Sequence, residues 1–198
     1  MASILVVCTG NVCRSPIAEG MLRAALLARM GEDAPRVRSA GTAAWEGSGA
    51  MPESVAAAAE RGVDIRGHEA RTMSTAMLEE ADLVLGMATE HREEVARLVP
   101  AAAGRVFTLK ELVRLLEALP PPGPGTTPTL AGRIALADDL RRKGFEGNPH
   151  DEDVKDPLGT PLETYRAIAW ELKGWIDRLA DLLIGVAPVR SAAGPSEG

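Results

Sequence analysis

The feature that most restricts this chain is how it begins. Ile4-Leu5-Val6-Val7 is a short aliphatic run that stops at Thr9-Gly10-Asn11, and helical periodicity starts a few residues later. An apolar run of that length, bounded by turn formers, predicts a buried strand over residues 3–8. Ser15 predicts the N-cap of the following helix and Pro16 its first position. Ile17, Met21, Leu22 and Leu26 mark its apolar face and Gly31 its end.

The alternation continues along the chain. Val37 to Ala40 predicts a second strand, followed by a glycine-rich loop around Trp45, and Pro52 opens an alanine-rich helix that stops before Gly62. A short helix near residues 74–80 precedes a third strand, Asp82 to Met87. Thr89 predicts the cap of the next helix, which ends before Pro100. Arg105 to Phe107 is the fourth strand, and Thr108 with Glu111 forms a capping box for the helix after it. Leu119 to Thr129, rich in Pro and Gly, reads as a loop, and Leu130 to Lys143 as a helix. The last helix starts with Thr160 as cap, Pro161 at the first position and Glu163 completing a capping box. Leu162, Tyr165, Ile168, Leu172, Trp175, Ile176 and Leu179 then repeat at helical spacing.

Strands alternating with helices imply a three-layer α/β domain, a four-stranded parallel sheet with helices on both faces. No internal repeat is visible. The expected organisation is one domain over residues 1–185, with an insertion at about 120–150 and a flexible tail over 186–198. In such sheets ligands bind beyond the carboxyl ends of the strands, often where the strand order reverses. The loop after the first strand is therefore the default site.

Composition removes several alternatives. A net charge of −6 weighs against a nucleic-acid-binding surface. The N-terminal apolar run is too short for a membrane span or a signal-peptide core and has no basic lead, so a cytoplasmic protein without a membrane partner is expected. The only two cysteines, Cys8 and Cys13, share one loop, which is no basis for a disulfide scaffold. Three His and two Cys show no ligand spacing, and no Gly-Lys-Ser/Thr follows the first strand. Neither a metal, nor a cofactor, nor a nucleotide-type phosphate loop is expected.

The loop itself reads Cys8-Thr9-Gly10-Asn11-Val12-Cys13-Arg14-Ser15-Pro16. A short loop running into a helix start can aim several backbone N–H groups at one tetrahedral anion. Gly10 removes a side chain where the backbone turns, and Asn11 tolerates a left-handed conformation. Arg14 adds a planar fork that can hold two phosphate oxygens, a geometry lysine cannot copy. A helix N-terminus and a cation also favour thiolate over thiol, and the Ser15 hydroxyl can donate to the Cys8 sulfur. Taken singly, Cys8 is a small core residue and Ser-Pro a cap. The spacing from Cys8 to Arg14-Ser15, between a strand and a helix, points instead to a nucleophile in a phosphate cradle.

With these residues the chain resembles the low-molecular-weight protein tyrosine phosphatase family. The match runs from Val7 to Pro16 and extends to Ser39-Ala40-Gly41-Thr42, Trp45, His68-Glu69-Ala70-Arg71, the strand Ala81 to Leu85 and the pair Asp156-Pro157. It covers most of residues 3–119 and 151–184, but neither the middle segment nor the tail. The resemblance implies a flavodoxin-like fold of the phosphotyrosine protein phosphatase I type and a phosphorylated protein as partner. Cys8 is then the nucleophile, Arg14 holds the phosphate and Asp156 is the proton donor to the leaving group. Thr9, Gly10, Asn11, Val12, Cys13, Ser15 and Trp45 line the phosphate or substrate site. Asn11, Ser39 and His68 support the loop, and Cys13 can form a reversible disulfide with Cys8.

The implied reaction has two steps through a phosphocysteine. The same family includes arsenate reductases and protein arginine phosphatases. The former relay oxidation through further cysteines, which this chain lacks. The latter carry threonine where Val12 stands, and an apolar residue suits a phenyl ring better than a guanidinium, so phosphotyrosine is the expected substrate and phosphoarginine the nearer alternative. A non-catalytic phosphate-binding module needs the cradle but neither Cys8 nor Asp156. Two departures stand out: Leu158-Gly159 follows the Asp-Pro pair where many relatives have aromatic residues, and the 120–150 insertion is expected to edge the site.

Overall fold

The structure is a computed structural model that describes residues 1–121, 128–145 and 147–184. The expected tail lies outside the described residues. Four strands form one parallel sheet: β1 (Ser3–Cys8), β2 (Arg36–Gly41), β3 (Leu83–Gly86) and β4 (Val106–Thr108), in the order β2-β1-β3-β4. The helices are α1 (Arg14–Met30), α2 (Pro52–Ala59), α3 (Thr75–Glu80), α4 (Thr89–Leu98), α5 (Leu109–Ala118), α6 (Leu130–Arg142) and α7 (Leu162–Leu183). The expected three-layer α/β architecture is what forms. None of the described helices is long and apolar enough to cross a membrane.

Side-chain alternation divides β1 between two cores. Ile4, Val6 and Cys8 face the layer of α1, α2, α5 and α7, where Ile17, Leu22, Leu112, Leu172 and Ile176 pack. Leu5 and Val7 face the layer of α3 and α4, with Leu78, Val84 and Val95. Along α7 the anticipated residues Tyr165, Ile168, Leu172, Ile176 and Leu179 are buried. Leu162 and Trp175 are half-buried, Trp175 under the guanidinium groups of Arg178 at 4.3 Å and Arg114 at 5.1 Å.

From β1 the chain goes to one side to make β2, then returns past β1 to make β3. The strand order therefore reverses at β1, and Cys8 ends that strand, at the position where such sheets bind ligands. Gly41 pairs in register with Cys8, and a β-carbon there would lie 2.4 Å from the Thr9 carbonyl oxygen. Only glycine lets β2 end this close to the loop.

Three helix starts differ from expectation. Helix α1 begins at Arg14, with Cys13 at the N-cap and no side-chain cap. Ser15 is inside the first turn, because its hydroxyl is already engaged by Cys8 and Asn11. Thr89 is the first residue of α4 rather than its cap; its N–H and hydroxyl both go to Asp153 Oδ1, at 2.7 and 2.9 Å. Helix α7 starts after Pro161 without a side-chain cap, since the Thr160 hydroxyl donates to the Pro157 carbonyl at 2.6 Å. The Thr108–Glu111 capping box forms as expected.

Candidate functional site

The Cys8–Ser15 loop is held open by a buried asparagine. Asn11 has φ +54° and is fully buried. Its Nδ2 donates to Ser15 Oγ at 2.8 Å and to Ser39 Oγ at 2.9 Å, while its Oδ1 accepts from the Arg71 N–H at 2.9 Å. Its carbonyl accepts from His68 Nε2 at 2.7 Å. The His68 side chain is 5% exposed, so it belongs to the loop's support and not to the surface. Burial pushes its pKa down and keeps the imidazole neutral.

Donors and acceptors in this network have a direction. Ser39 Oγ donates to Glu19 Oε2 at 2.6 Å, so it accepts from Asn11. The second amide proton of Asn11 goes to Ser15, which leaves the Ser15 hydroxyl proton for Cys8 Sγ, 2.9 Å away. A carboxylate at one end thus orients a donor toward sulfur at the other. Glu19 was not identified from the sequence. Its signal is weak but real: it sits four residues after Ser15, on the same face of α1.

Arg14 is 4% exposed and reaches across to the segment before α7. Its Nη1 donates to the Val154 carbonyl at 3.1 Å, and its Nη2 to Asp156 Oδ2 at 2.7 Å and Thr9 Oγ1 at 3.3 Å. Its Nε is buried without a partner among the described residues, a donor left over for an oxyanion. With α1 uncapped, the loop combines an open helix N-terminus, a fixed cation and a sulfur that already has a hydrogen-bond donor.

Asp156 comes to this centre through tethers that lie upstream of it. Asp151 pairs with Lys110 and Arg114, Asp153 with Thr89, and the Val154 N–H donates to the Met87 carbonyl at 2.7 Å. Asp156 itself remains 44% exposed at its side chain, open to a leaving group. Asp151 and Asp153 are the anchors of this segment.

The remaining site residues divide. The Trp45 backbone N–H donates to the Gly10 carbonyl, its indole comes next to Gly10, and the residue is 48% exposed. Val12 is buried, with a γ-carbon within 3.3 Å of a β-carbon placed on Gly10. Cys13 and Cys8 are both free thiols here. Cys13 lies 3.7 Å from the Tyr165 hydroxyl, and burial pushes its pKa up. Leu158 is exposed beside Asp156.

The described helix of the insertion, α6, lies away from this site, whose edge the insertion was expected to form. Residues 122–127 and 146 are outside the described residues. Helix α6 packs on α5, and its Arg141 donates to the Ala103 and Val106 carbonyls, so it lies along the outer edge of β4, two strands from β1. The described hydrogen bonds and ion pairs of α6 include none to residues 8–15 or to Asp156.

Comparison with known proteins agrees with the geometry. The family model "Low molecular weight phosphotyrosine protein phosphatase" matches residues 3–121. The protein-arginine-phosphatase of Geobacillus stearothermophilus is 33% identical over 180 residues, 91% of this chain and 95% of that protein. The low molecular weight protein-tyrosine-phosphatase Wzb of Escherichia coli (strain K12) is 40% identical over 105 residues, 53% of this chain and 67% of the relative. Among solved structures, the low molecular weight protein tyrosine phosphatase from T. tengcongensis superposes with a TM-score of 0.68 at 36% identity, covering 91% of this chain and 99% of that one.

Proposed function

Because the chain belongs to the low molecular weight phosphotyrosine protein phosphatase family, we propose that Cys8 is the nucleophile and Asp156 the general acid of a two-step hydrolysis of protein phosphotyrosine. The observation that carries this reading is Arg14. It is buried, aimed at the Cys8 loop from an uncapped helix start, and keeps one buried donor unpartnered.

In the first step Cys8 sulfur attacks phosphorus in line with the leaving oxygen. The S–P bond forms, the P–O bond breaks, and Asp156 gives its proton to the departing phenolate. Arg14 and the loop N–H groups take up charge on the equatorial oxygens. An incoming phosphate competes with Asp156 for the guanidinium, which frees the carboxyl group for its proton transfer. In the second step Asp156 removes a proton from water, the water oxygen attacks phosphorus, and the S–P bond breaks to return thiolate and inorganic phosphate. The chemistry needs a reduced Cys8, which suits the cytoplasm.

The exposed Trp45, beside Gly10, supplies aromatic surface for a phenyl ring, whereas Val12 is buried and offers it little. A second reading is phosphoarginine, favoured by the similarity to an arginine phosphatase over 91% of the chain. Reduced wild type and Cys8→Ser are to be assayed side by side on phosphotyrosine, phosphoarginine and phosphoserine peptides. Phosphotyrosine is expected to turn over fastest, and C8S to lose turnover while still binding phosphate. A faster phosphoarginine rate would reverse the substrate assignment, and C8S with undiminished turnover would remove the nucleophile.

A further inference from the structure

One buried group beside the loop has no part in the scheme above. His91, in the first turn of α4, is 1% exposed, and its Nε2 lies 3.0 Å from Thr9 Oγ1. Thr9 is the loop residue next to Cys8, and its Oγ1 also receives Arg14 Nη2 at 3.3 Å. Helix α4 follows β3, the strand next to β1, so the turn at the sheet's carboxyl end delivers His91 to the loop from the face opposite α1. Two independent contacts therefore meet on one hydroxyl oxygen.

We propose that His91 is a positioning residue: its Nε2 accepts the Thr9 hydroxyl proton, which turns the Thr9 oxygen toward Arg14 and fixes the guanidinium over the loop. This rests on the phosphatase reading given above. The direction of the chain follows from the groups at its ends. Arg14 can only donate, so Thr9 oxygen accepts from it and has its own proton to give. The imidazole can accept that proton only when neutral, and burial, together with the positive charge of Arg14, holds its pKa at about 4. The ring proton then sits on Nδ1, which is buried and has no hydrogen-bond partner among the described residues. Glu90 comes within 3.5 Å of Nε2 but is 72% exposed, and water competes for it.

The variants H91F, H91Q, T9V and H91F/T9V separate this role from simple packing. Three readouts are needed: kcat and KM for p-nitrophenyl phosphate, the Kd of inorganic phosphate, and the imidazole nitrogen signals of the wild type at neutral pH. Loss of one such hydrogen bond predicts about a tenfold fall in kcat/KM and in phosphate affinity for H91F and for T9V. The double variant is expected to be no worse than either, because both remove the same link. H91Q, whose side-chain oxygen reaches where Nε2 sits, is expected to recover most of the loss, and Nε2 to report as unprotonated. The proposal is overturned by H91F within twofold of wild type in both quantities, by losses that multiply in the double variant, or by a protonated Nε2. Should H91F not fold, T9V and the imidazole spectrum decide alone. Should the wild type hydrolyse no phosphate ester, the phosphatase reading falls, while phosphate affinity and the spectrum still decide the role of His91.

Discussion

Replacing Asn11 by alanine removes three side-chain hydrogen bonds at one fully buried position and leaves a β-carbon residue at φ +54°. The bond from His68 goes to the backbone carbonyl and survives. At the usual net value for a hydrogen bond, the three together contribute roughly 2–4 kcal/mol. The left-handed backbone costs alanine about 1 kcal/mol more than it costs asparagine. N11A is therefore expected to lose about 3–5 kcal/mol, a large share of the stability of a domain this size. N11G loses the same hydrogen bonds without the steric cost, and is expected to be about 1 kcal/mol more stable than N11A. Guanidinium chloride melts of the three proteins measure both differences. N11D tests the direction of the network. It keeps an acceptor for Arg71 but offers no donor, so the Ser15 and Ser39 hydroxyls turn toward the new carboxylate and Cys8 loses its donor. Turnover is expected to fall at least about tenfold. An N11A protein within 1 kcal/mol of wild type refutes the hydrogen-bond account, equal N11A and N11G stabilities refute the backbone account, and full N11D activity refutes the direction.

Gly41→Ala drives a β-carbon into the Thr9 carbonyl, a backbone atom that cannot move without carrying the loop with it. A loss of about 1–3 kcal/mol in stability and a lower kcat/KM are expected together, and an unaffected kcat/KM contradicts the close approach. Stability should also depend on pH through the two neutral histidines. Both His68 and His91 have folded pKa values below the ordinary 6.5, so the unfolded chain takes up protons first as pH falls. Their contribution is fully present above pH 6.5 and is lost on going down, for His91 toward about 4. That interval corresponds to roughly 3 kcal/mol at most for His91. Denaturant melts at pH 7 and pH 4.5 are expected to differ more in wild type than in H91F; an equal drop in both removes His91 as the cause.

Much of the fold was legible because the relevant signals are local. Short apolar runs, glycine stops and the Thr108–Glu111 box read the same way in sequence and in structure. The parallel sheet followed from alternation, and with it the position of Cys8 at the strand end. What failed was the reading of Ser15, Thr89 and Thr160 as caps. Each hydroxyl is claimed by a stronger tertiary partner, and one-dimensional patterns do not show which partner arrives. The same reason hid Glu19 and His91, whose roles depend on residues 20 and 82 positions away. Asp156 could be singled out only through the family's Asp-Pro pair. Its tethers at Asp151 and Asp153 look like any acidic run until Lys110, Arg114 and Thr89 are brought up to them.

The position of α6 bears on how this protein stays apart from its own copies. A sheet edge offers unpaired backbone groups to any passing strand, and β4 is an edge strand of three residues. Arg141 occupies the Val106 carbonyl and stacks on Phe107 at 4.2 Å, while Ile134 and Ala137 join the core beneath. This helix, part of the insertion expected to edge the site, is in this respect a guard against strand-to-strand aggregation. Its removal should show first as lost solubility, before any change in which phosphoproteins are accepted.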